Sequence, residues 1–100
     1  GYAGNYRQAL EMYRAVKRDC KLTGEMELEV ESGMGGCMHQ LHDYKGALPH
    51  RQRALVLTGS IHGKQSMEYA RKWRGMGDIH RDLKQWAEAL KSFREAKGIM

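Results

Sequence analysis

The sequence contains 100 residues, of which 41% are hydrophobic and 29% charged, and its formal net charge is +5. These proportions are those of one small globular domain and argue against an intrinsically disordered chain, while one proline and twelve glycines exclude a collagen-like one. No apolar run approaches the roughly 18 residues that a membrane-spanning helix needs, so we expect no membrane partner.

The charge is unevenly distributed along the chain. Residues 1–21 carry a net charge of +3, residues 22–44 carry −5 and residues 45–100 carry +7. A nucleic-acid-binding surface needs a cation for each phosphate that it contacts, and the acidic middle segment interrupts such a surface. The charge pattern therefore does not favour a nucleic-acid partner.

The two cysteines, Cys20 and Cys37, are too few for a disulfide scaffold. We therefore expect free thiols and a reducing, cytoplasmic location. The chain begins at Gly1 rather than at a methionine, and we expect it to be a segment of a longer protein.

Periodic apolar residues predict helices along the whole chain, with ends uncertain by a few residues. We predict five helices, over residues 4–21, 25–41, 43–57, 64–83 and 85–98. Asn5 and Asp43 are the predicted N-caps of the first and third helices. Pro49 lies inside the third helix, where its missing amide should bend or loosen the backbone.

Three segments of the sequence resemble one another, at residues 4–10, 42–48 and 84–90. Each segment has an aromatic residue three positions before an Ala-Leu pair. The alanines of these pairs are Ala9, Ala47 and Ala89. Their nearly regular spacing indicates an internal repeat.

The last repeat carries the fullest motif. It consists of an aromatic, an apolar and a small residue on one helix, then a small, an aromatic and a small residue on the next: Trp73, Met76, Gly77, Ala89, Phe93 and Ala96. At these residues the sequence resembles the tetratricopeptide repeat (TPR) family. The resemblance implies an all-α fold in which antiparallel helix pairs stack as a right-handed solenoid. Because the spacing exceeds that of the common TPR motif, the chain is most similar to the longer-repeat branch that includes kinesin light chains and the LGN/Pins-type scaffolds.

The resemblance also implies the domain organisation. Residues 1–100 would form one array of about two and a half repeats. Residues 1–24 would supply the second helix of a truncated repeat, followed by complete repeats at 25–62 and 63–100. Two positions depart from the motif, because Glu31 stands at the place of Trp73 and Arg51 at the place of Phe93.

In the TPR family the first helix of each repeat lines the concave surface, and two stripes of residues fall on that side here. The stripes are Arg71, Arg74, Asp78 and Arg81 on the fourth helix, and Glu29, Ser32, Gly36 and His39 on the second. We predict that they form a groove with one cationic and one acidic wall. The groove would bind an extended or helical segment of a partner protein, and that segment would be partly acidic. The alternative interpretation is an ordinary solvated helix face.

Glycines interrupt the second helix at positions 33, 35 and 36, where each costs about 1 kcal/mol relative to alanine. Close helix packing accounts for Gly35. Gly33 and Gly36 would either leave room for a partner or mark a locally weak helix.

No motif in the sequence supports catalysis, a cofactor or a metal. The chain lacks nucleophile-elbow, phosphate-loop and dinucleotide fingerprints, so we expect a non-catalytic protein. Cys37, His39 and His42 lie near one another in sequence, but they lack a paired Cys-x-x-Cys and a fourth ligand.

The leading hypothesis is therefore a protein–protein interaction scaffold, with a cytoskeletal or motor-associated complex implied by the resemblance. One alternative is an RNA-binding helical-repeat module. We expect Trp73, Trp86 and Phe93 to be buried in the core, however, and so not to be exposed for RNA binding. Another is the docking domain of a larger enzyme. The ends of the array look uncapped, so we also expect self-association through residues 6–20 or 86–100.

Overall fold

The computed structural model describes residues 2–100, and this part of the chain is entirely helical. It contains five helices, α1 (Tyr2–Asp19), α2 (Gly24–Gln40), α3 (Tyr44–His62), α4 (Met67–Asp82) and α5 (Trp86–Ile99). The predicted all-α class and the number of helices are confirmed. None of these helices combines the length and the apolar content that crossing a membrane requires.

The helix ends show where local sequence signals held and where they failed. Asp43 caps α3 as predicted, because its carboxylate accepts a hydrogen bond from the Gly46 amide at 3.0 Å. The prediction that Asn5 is an N-cap is wrong, since Asn5 lies inside α1. Helix α4 begins later than predicted, after Ser66, whose hydroxyl accepts from the Tyr69 amide at 3.1 Å.

Helix α3 is longer than the sequence suggested. The predicted end at residue 57 is wrong, because the helix continues through Gly59 and ends before Gly63, whose φ is +96°. The Tyr69 ring packs against Gly59, where an added Cβ would lie 2.9 Å from the ring. The helix is also continuous through Pro49, which sits in an exposed position of its second turn.

The helices pack in series, each against the next one in the chain. The most extensive contacts join α2 to α3 and α4 to α5, while α1 packs on α2 and α3 packs on α4. The chain thus forms two helix pairs, α2–α3 and α4–α5, with α1 stacked on the first pair.

The two pairs have the same turn, at His42 in the first pair and at Lys84 in the second. Both residues adopt a left-handed conformation, with φ of 64° and 61°. The following amides, of Asp43 and Gln85, donate to carbonyls five positions earlier at 2.8 Å in both turns. Because the backbone geometry repeats at the spacing of the sequence motif, residues separated by that spacing occupy equivalent places in the two pairs.

The core lies between α1, α2 and α3 and extends to α4. Its buried side chains are Leu10, Val30, Met34, Cys37, Met38, Ala47 and Ile79. The prediction that Trp86 belongs to the core is wrong, because 63% of its surface is exposed. Helix α5 makes its extensive contacts with α4, and Trp86, Leu90 and Met100 remain exposed.

Large side chains on α1, α3 and α5 pack over glycines of the neighbouring helices. Tyr13 packs against Gly33, and the Phe93 ring lies where a Cβ on Gly77 would come within 2.6 Å. The hypothesis that Gly33 leaves room for a partner is therefore wrong, because Tyr13 already fills that space. The close approach of helices here depends on the missing Cβ atoms.

Candidate functional site

Two side-chain hydrogen bonds bridge helices α2 and α4, whose backbones are not among the closely packed pairs. The Lys72 Nζ donates to the Ser32 Oγ at 2.9 Å, and the His39 Nε2 is 2.7 Å from the Asp82 Oδ2. We call the surface between these two bonds the α2–α4 seam. It includes Ser32, Gly36, His39, Lys72, Gly75, Asp78 and Asp82.

An arginine from a third helix reaches into this seam. Arg51 belongs to α3, and its Cγ and Cδ pass 3.1 Å from the position of a Cβ on Gly35. Its Nη2 and Nη1 lie 3.6 and 3.8 Å from the Cβ positions of Gly36 and Gly75. The guanidinium is therefore held between α2 and α4 at the level of two glycines.

The guanidinium has little compensation for its burial. Its Nε is buried and has no hydrogen-bond partner, and Arg51 forms no ion pair within residues 2–100. Burial lowers the pKa of Arg51, while the charge of Asp78 acts in the opposite direction. A buried polar atom without a partner lowers the stability of the fold.

Lys72 is the second cation of the seam. Burial lowers the pKa of Lys72, and the nearby charge of Arg51 lowers it further. Its described hydrogen-bond partner is the neutral hydroxyl of Ser32. The seam thus holds two desolvated cations close to each other.

The predicted binding residues divide into two groups, and five of them lie at or beside the seam. Ser32, Gly36, His39 and Asp78 belong to the seam, while Arg81 forms ion pairs with Asp78 at 3.5 Å and Asp82 at 3.8 Å. Asp78 and Asp82 therefore partly offset the charge of Arg81, which solvent also screens because its side chain is half exposed.

The other three predicted residues lie elsewhere. Arg74 lines a shallow cavity with Phe93 and Met100 at the α4–α5 end of the molecule. Arg71 is exposed and forms no ion pair with the described residues, and Glu29 is exposed on α2. The predicted cationic and acidic residues therefore do not form two simple walls that face each other.

A broad cavity of about 610 Å³ adjoins one end of the seam. It is open to solvent and lies over the first half of α2. Its lining includes Tyr13, Glu29, Ser32, Gly33 and Lys72. Aromatic, acidic, hydroxyl and cationic groups therefore face one concave space.

Glu31 forms a separate charged cluster on the other side of α2. Its side chain is 5% exposed, and its carboxylate is 2.7 Å from the Lys17 Nζ and 2.6 Å from the His50 Nδ1. Burial raises the pKa of Glu31, but the hydrogen bonds from Lys17 and His50 outweigh it and hold the pKa below its ordinary value. The cluster ties α1, α2 and α3 together.

The structure gives other partners to the residues considered as metal ligands. His39 is bonded to Asp82, and the His42 Nδ1 is 2.6 Å from the Tyr44 Oη. Cys37 is buried as a free thiol, and burial raises its pKa. Residues 2–100 bring no three potential metal ligands together.

Sequence reasoning did not identify Arg51 or Lys72 as site residues. Arg51 carried a signal, because it replaces the aromatic residue that Phe93 provides in the next pair. Its reach into the seam could not be read from that replacement, since it depends on where α4 packs. Lys72 carried no signal beyond its charge.

Comparison with known proteins identifies one family. The family model of the tetratricopeptide repeat matches residues 26–100. Searches of curated proteins and of solved structures found no match.

Proposed function

Because the chain belongs to the tetratricopeptide repeat family, we propose that it is a non-catalytic scaffold that binds a segment of another protein. Repeat arrays of this kind present extended surfaces rather than enclosed catalytic sites. The proposed binding surface is the concave face formed by α2 and α4, which includes the seam and the cavity beside it.

One observation carries this proposal. The cavity over α2 has a volume of about 610 Å³ and is open, so an extended or helical segment could lie in it. Its lining combines the Tyr13 ring with the polar groups of Ser32 and Lys72. Such a mixture suits a peptide, which offers both apolar side chains and backbone hydrogen-bonding groups.

Selection from a random peptide library tests this function without a known partner. Enriched peptides would be titrated into the ¹⁵N-labelled chain, and amide shifts would be mapped. We expect the largest shifts at Ser32, Gly33, Gly36 and Gly75. Failure to enrich any peptide, or shifts confined to α1 and α5, would contradict the proposal.

Charge reversal tests the cationic residues that the sequence predicted for partner binding. If Arg71, Arg74 and Arg81 contact an acidic partner, each change to Glu should weaken peptide binding, with helicity unchanged by circular dichroism. Arg94 on α5 is exposed and provides the matched control. Unaltered affinity in all three variants would make them ordinary surface residues.

One observation favours a second candidate, an RNA-binding helical-repeat module. Trp86 is 63% exposed and could stack on an unpaired base. Single-stranded RNA binding that weakens steeply with salt and is lost in Trp86→Ala would support this alternative. Absence of such binding would leave the protein-binding proposal.

The finer assignments are also proposals. The equivalent turns at His42 and Lys84 support the longer-repeat branch, with kinesin light chains and LGN/Pins-type scaffolds, and hence a cytoskeletal or motor-associated complex. Free cysteines at positions 20 and 37 support a reducing, cytoplasmic location.

A further inference from the structure

We propose that Arg51 and Lys72 form an anion site within the α2–α4 seam, and that this site binds a carboxylate of the partner segment. The inference rests on the proposed function, because the seam is part of the proposed binding face. It assigns recognition to two partly buried cations rather than to the exposed arginines of α4.

The first argument is that packing alone does not require an arginine at position 51. The equivalent residue of the next pair is Phe93, which packs over Gly77 as the stem of Arg51 packs over Gly35. An apolar side chain would make the same contact without burying a charge. Because Arg51 carries a buried Nε with no partner, its guanidinium is retained at a cost to stability.

The second argument is the space around the outer edge of the guanidinium. Gly36 and Gly75 flank Nη2 and Nη1, and Cβ atoms there would make ordinary contacts at 3.6 and 3.8 Å. Side chains at these positions would therefore cover the guanidinium. With glycines, the two terminal nitrogens can present parallel N–H groups, the geometry that a carboxylate accepts in a bidentate manner.

The third argument is the balance of charge. Asp78 is the carboxylate whose charge acts on Arg51, and it is also paired with Arg81. Asp82 is bonded to His39, and Lys72 is bonded to a neutral hydroxyl. Counting Arg81 beside the seam, the three cations Arg51, Lys72 and Arg81 face the two carboxylates of Asp78 and Asp82. One additional carboxylate would therefore balance the charge.

The same surroundings favour a carboxylate over a polyanion. Asp78 beside the site and Glu29 in the adjoining cavity would repel a chain of phosphates. A single carboxylate of an otherwise uncharged segment fits between Arg51 and Lys72 with less repulsion.

The probe for the test is the peptide acetyl-Gln-Glu-Gln-amide, which carries one carboxylate, with acetyl-Gln-Gln-Gln-amide as its uncharged counterpart. Arginine Nε–H signals of the ¹⁵N-labelled chain would be followed during titration, with the Arg51 signal assigned by its loss in Arg51→Met. We expect a saturable shift of that signal with the glutamate peptide and none with the glutamine peptide. An Arg51 signal that moves neither with the glutamate peptide nor with one that has a free carboxyl terminus overturns the inference.

Variants then separate binding from folding. Arg51→Met retains the stem and removes the charge, so its melting temperature should equal or exceed that of the parent chain. Its affinity for the glutamate peptide should fall at least about tenfold, the loss of one charge-assisted hydrogen bond. The control variant Arg94→Met removes an exposed cation from α5, and it should bind the glutamate peptide as the parent chain does. Equal losses in both variants would overturn the inference.

Lys72→Met and Arg51→Lys provide a second line of evidence if Arg51→Met fails to fold. The former removes the second cation, and the latter keeps a charge without the planar donor pair. Both should weaken binding of the glutamate peptide. Parent-like binding in both variants overturns the inference.

Two further titrations, followed by the same Arg51 signal, identify the chemical source of the anion. The peptide acetyl-Gln-Gln-Gln with a free carboxyl terminus tests a terminal carboxylate, and inorganic phosphate tests a phosphoryl group. A shift of the Arg51 signal with either carboxylate peptide supports the site and names the source. A shift with phosphate alone overturns it.

Failure of this inference can be told from failure of the proposed function. If library peptides map to the α2–α4 face but bind Arg51→Met normally, the anion site is wrong and the scaffold function stands. If no library peptide maps to that face while the glutamate peptide shifts Arg51, the proposed function fails and the anion site stands.

Discussion

Glu31 is the one acidic side chain buried within residues 2–100, and it stands where the next pair has Trp73. A carboxylate replaces an aromatic ring at this position because Lys17 and His50 reach it from two other helices. An uncompensated charge here would be strongly destabilising. The replacement of one residue in the repeat therefore depends on two others that are distant in sequence.

The pKa of Glu31 predicts a specific acid sensitivity. Because the folded-state pKa lies below the ordinary glutamate value of about 4.3, the stabilisation is complete above that value. It is lost as the pH falls through the folded-state pKa. We expect the free energy of unfolding to decrease over this range, and the decrease to be smaller in Glu31→Gln.

Urea denaturation at a series of pH values measures this effect. At pH 7 Glu31→Gln should lose about 1–3 kcal/mol, the cost of replacing an ionised hydrogen-bond acceptor. Glu11 is exposed on α1, and Glu11→Gln is the matched control. If Glu31→Gln kept the full pH dependence of the parent chain, another group would be responsible.

At the scale of elements, the sequence predicted the helices and the turns better than the helix ends. The predicted helices left residues 42 and 84 between them, and His42 and Lys84 both adopt the left-handed conformation of one repeated turn. The predicted end of α3 at residue 57 is wrong, because the helix continues through Gly59, which packs against Tyr69 of the next helix. Local sequence cannot reveal a contact of that kind.

The two glycines Gly77 and Gly98 test how closely α4 and α5 pack. A Cβ on Gly77 would lie 2.6 Å from the Phe93 ring, whereas nothing lies within 4 Å of a Cβ on Gly98. Gly77→Ala should therefore lose about 1–3 kcal/mol through overpacking. Gly98→Ala should be neutral or gain up to about 1 kcal/mol from helix propensity.

Thermal or urea unfolding of both variants measures the difference. A parent-like stability of Gly77→Ala would show that Phe93 moves aside without cost. The close α4–α5 packing would then not depend on this glycine.

At the scale of the whole molecule, the sequence predicted the repeated helix pairs but not the site in the seam. Helix pairs follow from periodicity within each helix. The position of Arg51 between α2 and α4 follows from how one pair stacks on the next, which brings together residues that are far apart in the sequence. The same limit explains why the exposure of Trp86 was not predicted, because that exposure depends on which helices pack against α5.

Stacking also leaves apolar side chains exposed on the outermost helices, and this predicts self-association. Leu90 and Met100 at the α5 end are 50% and 68% exposed, and Met12 on α1 is 59% exposed. Met12 and Met26 line a further cavity, of about 210 Å³, between α1 and α2. Burying such surface contributes about 25 cal/mol per Å². We therefore expect copies of the chain to associate through residues 6–20 or 86–100.

Sedimentation equilibrium over a range of concentrations measures this association. The average mass should rise with concentration for the parent chain and fall towards the monomer mass in Leu90→Glu and Met12→Glu, because a charge in an apolar contact is costly to desolvate. Val56 on α3 is 61% exposed, and Val56→Glu is the matched control that should associate like the parent chain. A monomer at every concentration, with slow amide exchange in both α1 and α5, would show that these helices are stable without a covering partner and would refute the prediction.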